Sequence, residues 1–217
     1  KVFLISIPTT AGSGAEVTEG CVLYNKKIKY SLEKKFFIPS KFYIVPKIIN
    51  KCSFKLKATC GLDTLCQSME SMVSLKSNTL SRTYAKKSIK LFDKNFLNYL
   101  YNPNILNSKN MAISSNYSGK AINLTKTTIP HALSYPLTTL HDLDHGHAVA
   151  TTLEGIFNIS FLKSKNFPEI NRKYLELFNS IGANNYQEFK KKINFYKKKI
   201  KLNFKLISKL NKKQINT

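Results

Sequence analysis

The spacing of apolar positions changes character part-way along the chain. Up to residue 46 they come in short bursts. Residues 2–7 (VFLISI) form a β-branched and aromatic run closed by Pro8, which predicts a buried strand. Residues 21–24 and 28–30 flank Asn25-Lys26-Lys27 and predict a hairpin. Residues 36–38 and 42–45 are two further extended runs, punctuated by Pro39 and Pro46. Beyond Pro46 the strand signals stop and helical spacing continues to the end, so a domain boundary is expected near residues 46–52. Leu62, Leu65, Cys66, Met69, Met72 and Val73 recur at three- and four-residue intervals, the apolar stripe of a helix. Asp63, Gln67 and Glu70 share another face of it. They read either as a solvated polar face or as oxygen ligands one turn apart. Residues 80–100 predict a helix with Ile89, Phe92, Phe96 and Tyr99 inward, ended by Asn102-Pro103. Residues 108–124 are rich in Ala, Ser and Gly, which suits a helix packed tightly on neighbours. Further helices are expected over 145–161, over 171–181 with Gly182 as the stop, and over 186–202, where Phe189, Ile193, Tyr196 and Ile200 form the stripe. The closing NKKQINT reads as a ragged end.

Composition narrows the function classes. At 217 residues the chain can bury a substantial core. No apolar run approaches the roughly 20 residues that span a bilayer, and no signal peptide is visible, so no membrane partner is expected. The net charge of +23 invites a nucleic-acid reading. Yet all but Arg82 and Arg172 of the 35 basic residues are lysine, whereas base and phosphate recognition favours arginine forks. The Lys, Ile and Asn excess is what an AT-rich coding sequence produces, so no nucleic-acid partner is expected. Cys21, Cys52, Cys60 and Cys66 form no CxxC pair, which argues against a zinc knuckle and for reduced thiols in the cytoplasm. The chain starts at Lys1 on a strand-like run, which reads as a fragment whose natural start is missing.

The chemistry concentrates in one stretch. All four histidines, His131, His141, His145 and His147, lie within TTIPHALSYPLTTLHDLDHGHAVA, residues 127–150. Neutral imidazole is the commonest nitrogen ligand for Zn2+ and Fe2+. Pro130 suits the first turn of a helix capped by Thr127 or Thr128. LHDLD then separates that helix from a second one starting near His145, and two helix starts can bring two imidazoles together. Earlier, TTAGSGAEVT (residues 9–18) reads either as a backbone cradle for an anion or as a plain strand-to-helix turn. Lys120 and Lys126 flank the histidine stretch. They read either as a cationic pair for a phosphonate- or carboxylate-bearing substrate or as surface lysines.

Three segments in order carry a family resemblance: IPTTAGSGAEVT (7–18), GLDTLCQSMESMVS (61–74) and HALSYPLTTLHDLDHGHAVA (131–150). They resemble the iron-containing, group III alcohol dehydrogenases. SGKAINLTKTTIPHALSY is most similar to the phosphonoacetaldehyde reductase-like branch. The resemblance implies a dehydroquinate synthase-like fold. Residues 1–50 would be the C-terminal part of an α/β dinucleotide-binding domain with a β-hairpin. Residues 51–217 would be an all-helical metal-binding domain, cut short at its end. It also implies that the family's GGGS loop for the cofactor pyrophosphate lies before Lys1.

Residue by residue, the resemblance places metal ligands at Asp63, His131 and His145, with Gln67 where the family commonly has histidine. Thr9, Thr10, Gly12 and Ser13 match the cofactor-facing loop. Tyr135 replaces a histidine that commonly lies near the nicotinamide; its phenol can donate a hydrogen bond but is a poor relay at neutral pH. Of the two unmatched histidines, His147 joins Tyr135 as a candidate catalytic group. The implied activity is hydride transfer between NAD or NADP and a small aldehyde or alcohol, assisted by Fe2+ or Zn2+, in an assembly that could be a homodimer. The rival readings are a truncated or inactive relative that keeps the fold, and, ranked below it, a basic nucleic-acid-binding module.

Overall fold

The computed structural model describes residues 2–25 and 28–204. The expected Lys26-Lys27 turn and the ragged end at 211–217 lie outside them. The strand-bearing part comes first. β1 (Ile5–Ser6) pairs in parallel with β4 (Lys41–Phe42). β2 (Gly20–Asn25) and β3 (Ile28–Glu33) form an antiparallel hairpin in which Gly20 faces Glu33 and Cys21 faces Leu32. The first run is a strand only over two residues, and it is not buried: Ile5 is 49% exposed. A strand needs a neighbour on each edge to be enclosed, and among the described residues β1 has β4 alone. Residues 35–37 form a helical turn instead of the expected extended run.

Helices follow from Pro46: α1 (Pro46–Asn50), α2 (Phe54–Val73), α3 (Thr79–Tyr101), α4 (Ile105–Thr125), α5 (Ile129–His141), α6 (His145–Ser164), α7 (Pro168–Ser180) and α8 (Tyr186–Lys199). Their starts follow the cap residues. The side chains of Ser53, Asn78, Asn104 and Asn185 each accept a backbone N–H three residues on, worth about 1 kcal/mol apiece. Asn78 and Ser81 complete a reciprocal box. Gly182, at φ 75°, follows α7 as expected.

α2 is the axis of the bundle. It packs against α3, α4, α6 and α7, and all but one of the residues from Lys57 to Met72 are buried. The apolar stripe read from the sequence holds, with Leu62, Leu65, Cys66, Met69 and Met72 in the core beside Ile89, Phe92, Phe96 and Tyr99 of α3. Each such side chain contributes roughly 1.5–3 kcal/mol on burial. Ser88 of α3 bonds Ser68 of α2 at 2.8 Å and the Ser114 carbonyl of α4 at 2.8 Å, so small hydroxyls stitch the tight three-helix contact. Among the described residues no helix is long and apolar enough to cross a membrane. All four cysteines are free thiols.

Candidate metal centre

The polar face of α2 is enclosed, not solvated. Asp63 and Gln67 are buried and Glu70 is fully so, at 0% exposure. An unpaired buried carboxylate is very costly, so partners must converge on this face, and α5 and α6 supply them. Thr128 caps α5 and Pro130 sits in its first turn, which points His131 at α2. α5 ends at His141, Asp142 takes a left-handed conformation, and Asp144 precedes α6. That turn brings His145 back to the same place.

His131 Nε2 lies 3.3 Å from Asp63 Oδ1, and His145 Nε2 lies 3.7 Å from the same oxygen. The imidazoles meet edge-on with centroids 5.2 Å apart. One donor atom from each of Asp63, His131 and His145 lies within 4.8 Å of the others. The other face of the His131 ring is fixed by Glu70, whose Oε1 is 2.5 Å from Nδ1. Glu70 Oε2 in turn accepts from the Thr128 backbone N–H at 2.5 Å and its hydroxyl at 2.8 Å. Burial works against protonation of His131, but the Glu70 charge, with Asp63 beside it, outweighs burial and pushes the pKa up to about 9.

Gln67, expected as an oxygen ligand, has both ends of its amide engaged. Its Nε2 donates to Asp63 Oδ2 at 2.9 Å, and its Oε1 accepts from the Ser118 hydroxyl at 2.8 Å. This orientation, assigned from the network, fixes the Asp63 carboxylate and leaves Oδ1 turned to the histidines. Sequence reading missed Glu70 as an orienting group. Its signal was its place on the same helix face as Asp63.

Asp63, Gln67, His131 and His145 form one wall of a cleft of about 520 Å³. Ser13, Tyr135, Thr138 and Lys126 also line it, and hairpin residues Cys21, Val22, Leu32 and Glu33 close the opposite side. The Thr138 hydroxyl is buried with no hydrogen-bond partner among the described residues. The glycine loop is anchored to α2 and α4. Thr64 Oγ1 donates to the carbonyls of Ala11 and Gly12, at 3.2 and 3.0 Å, and Ser115 donates to Gly12 at 2.9 Å. Gly14, at φ 63°, packs so closely on Gly119 that an added Cβ would come within 2.6 Å of it. Of the loop residues matched by resemblance, Ser13 lines the cleft and Gly12 is buried behind it. Thr9 is exposed and offers its carbonyl to Cys52, and Thr10 lies beside Cys60.

One expectation needs correction, and one open alternative is narrowed. His147 does not line the cleft. Its Nε2 meets the Asn203 carbonyl at 3.0 Å and its ring packs edge-on against Phe204, 4.8 Å away. Residues two positions apart on a helix lie roughly 200° apart around the axis, so His145 and His147 face opposite ways; burial lowers the His147 pKa. The lysine pair is also split. Lys126 lines the cleft, whereas Lys120 lines a separate cavity and lies over the Tyr84 and Tyr117 rings. Lys126 is bound by Glu19 at 2.9 Å and Glu33 at 3.1 Å. Burial works to lower its pKa, but these hydrogen bonds raise it. Its backbone, at φ 62° and ψ 171°, sits where glycine is usual, a cost of about 1–3 kcal/mol.

One carboxylate and two imidazoles around a point open to a cleft is the donor set of a catalytic Fe2+ or Zn2+ site, with positions left for water or substrate. The residues present fit such an ion. Comparison with known proteins agrees. The family model described as Fe-containing alcohol dehydrogenase family, C-terminal, matches residues 57–215. The chain is 33% identical over 156 residues to phosphonoacetaldehyde reductase of Streptomyces viridochromogenes, covering 70% of this chain and 39% of that protein. It is 28% identical over 184 residues to 1,3-propanediol dehydrogenase of Klebsiella pneumoniae, covering 83% and 46%. The structure superposes on sulfoacetaldehyde reductase from Bifidobacterium kashiwanohense, solved in complex with NAD+, with a TM-score of 0.87, 30% identity and coverage of 98% of this chain and 56% of that one. The chain thus spans about half the length of the relatives it matches. With the helical fold, the enclosed Asp-His-His cluster and the family match in agreement, the chain belongs to the Fe-containing alcohol dehydrogenase family.

Proposed function

We propose that this chain forms the metal-binding side, and one edge of the nicotinamide-binding side, of a dehydrogenase that interconverts a small aldehyde and its alcohol with NAD(P)H as hydride carrier. In this reading residues 1–50 belong to the cofactor-binding domain and residues 51–217 to the metal-binding domain. The observation that carries it is the convergence of Asp63, His131 and His145 on one wall of a cleft that Ser13 of the glycine loop also lines. Iron(II), with zinc as the alternative, would draw electron density from a carbonyl oxygen and so ready its carbon for hydride.

The chain's own residues do the rest. Asp63, His131 and His145 would hold the ion. Gln67 and Glu70 fix the orientation of Asp63 and His131. The Tyr135 phenol, which lines the cleft, would hydrogen-bond a substrate or cofactor oxygen. The Thr10–Ser13 loop would face the cofactor, its backbone set by Thr64 and Ser115.

The test is metal binding. Titration with Co2+ or Fe2+ is expected to show one site that disappears in the Asp63→Ala/His131→Ala double variant. Unchanged metal content in that variant would mean the site is misplaced. Nicotinamide fluorescence quenching that needs Ser13 would support the cofactor side.

A further inference from the structure

The cleft beside the metal cluster is lined by one lysine and no arginine among the described residues. That lysine, Lys126, is committed at 33% side-chain exposure to two carboxylates, Glu19 Oε1 at 2.9 Å and Glu33 Oε2 at 3.1 Å. The carboxylates come from the two ends of the hairpin. Gly20 pairs with Glu33, Glu19 directly precedes that pair, and the Lys34 N–H donates to the Glu19 carbonyl at 3.1 Å. The Glu19 N–H donates to Asn123 Oδ1 at 2.8 Å, so the same α4 terminus that carries Lys126 holds the Glu19 backbone. Lys126 lowers the Glu19 pKa, as expected of a formed ion pair.

The charge around this cleft therefore runs against an anionic substrate. Glu33 and Asp63 line the cleft, Glu70 is buried against His131, and at Lys126 itself two carboxylates, Glu19 and Glu33, outnumber one ammonium. The overall +23 draws anions toward the surface. Salt screens that pull over about 10 Å, and at contact distance the two glutamates decide. A phosphonate or sulfonate arriving at Lys126 meets two carboxylates already there, and juxtaposed like charges disfavour binding strongly. Specificity by repulsion needs no clash with the accepted substrate.

We propose that Glu19 and Glu33 are specificity-determining residues: by occupying Lys126 they close the cleft to phosphonate- and sulfonate-bearing aldehydes and leave it to short uncharged ones. This rests on the dehydrogenase reading above and departs from the substrates for which two of the relatives are named. Cys21 and Leu32, paired across the same hairpin, also line this cleft.

Two measurements test it. In the full-length, metal-loaded protein, kcat/KM is compared for propanal and phosphonoacetaldehyde. The wild type is expected to favour propanal. Glu19→Gln/Glu33→Gln, which keeps hydrogen-bond acceptors for Lys126 and removes both charges, is expected to shift the ratio toward the phosphonate by about tenfold or more. Lys126→Gln is expected to lower both substrates alike, through the hairpin. Independently of turnover, methylphosphonate is titrated into this chain and followed by phosphorus NMR. No saturable binding is expected for the wild type up to about 10 mM, saturable binding for the double glutamine variant, and its loss when Lys126→Gln is added. Thermal melts confirm that each variant is folded. Methylphosphonate binding to the wild type, or selective loss of phosphonoacetaldehyde turnover in Lys126→Gln, overturns the proposal. If the chain binds no metal, the dehydrogenase reading fails, while the methylphosphonate titration still decides the role of the glutamates.

Discussion

Replacing Gly146 by alanine tests the architecture of the metal centre through backbone alone. Gly146 follows His145 at the point where α6 crosses α2. A Cβ there would lie 2.0 Å from the Thr59 carbonyl oxygen and 3.0 Å from both Asp63 Cβ and the Asp63 amide nitrogen. The first is short of ordinary contact by roughly 1.4 Å. The obstacle is the backbone of α2, which cannot rotate aside, so the two helices must separate. Overpacking of this kind costs about 1–3 kcal/mol, and an unyielding carbonyl puts this site toward the upper end. The same separation acts on the cluster. His145 Nε2 already lies 3.7 Å from Asp63 Oδ1, and donor-to-metal distances are about 2.0–2.2 Å. An extra ångström withdraws one ligand of three.

We expect metal affinity to fall by about 100-fold or more, since outer-shell changes alone cost 10–100-fold. At a metal concentration 100 times the wild-type Kd, binding adds about 2.7 kcal/mol to stability; after a 100-fold loss it adds about 0.4. Urea unfolding with and without Co2+ reads both terms. Gly155→Ala on the same helix is the control: nothing lies within 4 Å of its added Cβ. It should stabilise by about 0.5–1 kcal/mol through helix propensity and leave the metal increment intact. If Gly146→Ala unfolds at the wild-type urea concentration with its full metal increment, the close-crossing account is wrong.

Glu70→Gln should weaken metal binding by about 10–100-fold while far-ultraviolet dichroism stays unchanged, because His131 loses its charged orienting partner; unchanged affinity by calorimetry would remove Glu70 from the centre. In the metal-free protein the His131 pKa is raised from 6.5 to about 9. Its protonation therefore adds stability that is complete below about pH 6.5 and fades as pH rises through about 9, a trend that urea midpoints should show in the wild type and not in His131→Gln. Burial pushes the Cys60 thiol up to about 11, so at pH 8 its thiolate fraction is roughly 100-fold or more below that of an ordinary cysteine. Peptide mapping after iodoacetamide should find it labelled correspondingly slowly; labelling at the rate of free cysteine would contradict the burial argument.

The helices were readable because the 3.6-residue period is local. Leu62, Leu65, Cys66, Met69 and Met72 point inward as their spacing required, and α3 to α8 begin within a few residues of where caps, prolines and apolar stripes put them. The environment of the opposite face of α2 was not readable. Asp63, Gln67 and Glu70 fit a solvated face equally well by spacing, and only the arrival of α5 and α6 from more than fifty residues away makes them interior. The same dependence explains the misplaced residues. About half a turn of helix separates the environment of His145 from that of His147, and the partners that settle it, Asp63 for one and Asn203 for the other, lie far along the chain. The two readings of Lys126 stayed open in the sequence because its partners, Glu19 and Glu33, reach it through the hairpin. Residues 2–7 looked like a core strand because strand propensity reports side-chain type, while enclosure depends on neighbouring strands.

Asp63 and Thr64 are consecutive on α2. One faces the histidines; the other clamps the carbonyls of Ala11 and Gly12. Consecutive Cα atoms are held about 3.8 Å apart by covalent geometry. The glycine loop and the Asp63 carboxylate thus share a single datum, and any drift or tilt of α2 carries both together without changing their separation. Errors that would accumulate across independent supports cancel here. Breathing of the cleft is left to the opposite wall, where the hairpin is held by side-chain and backbone contacts to the end of α4.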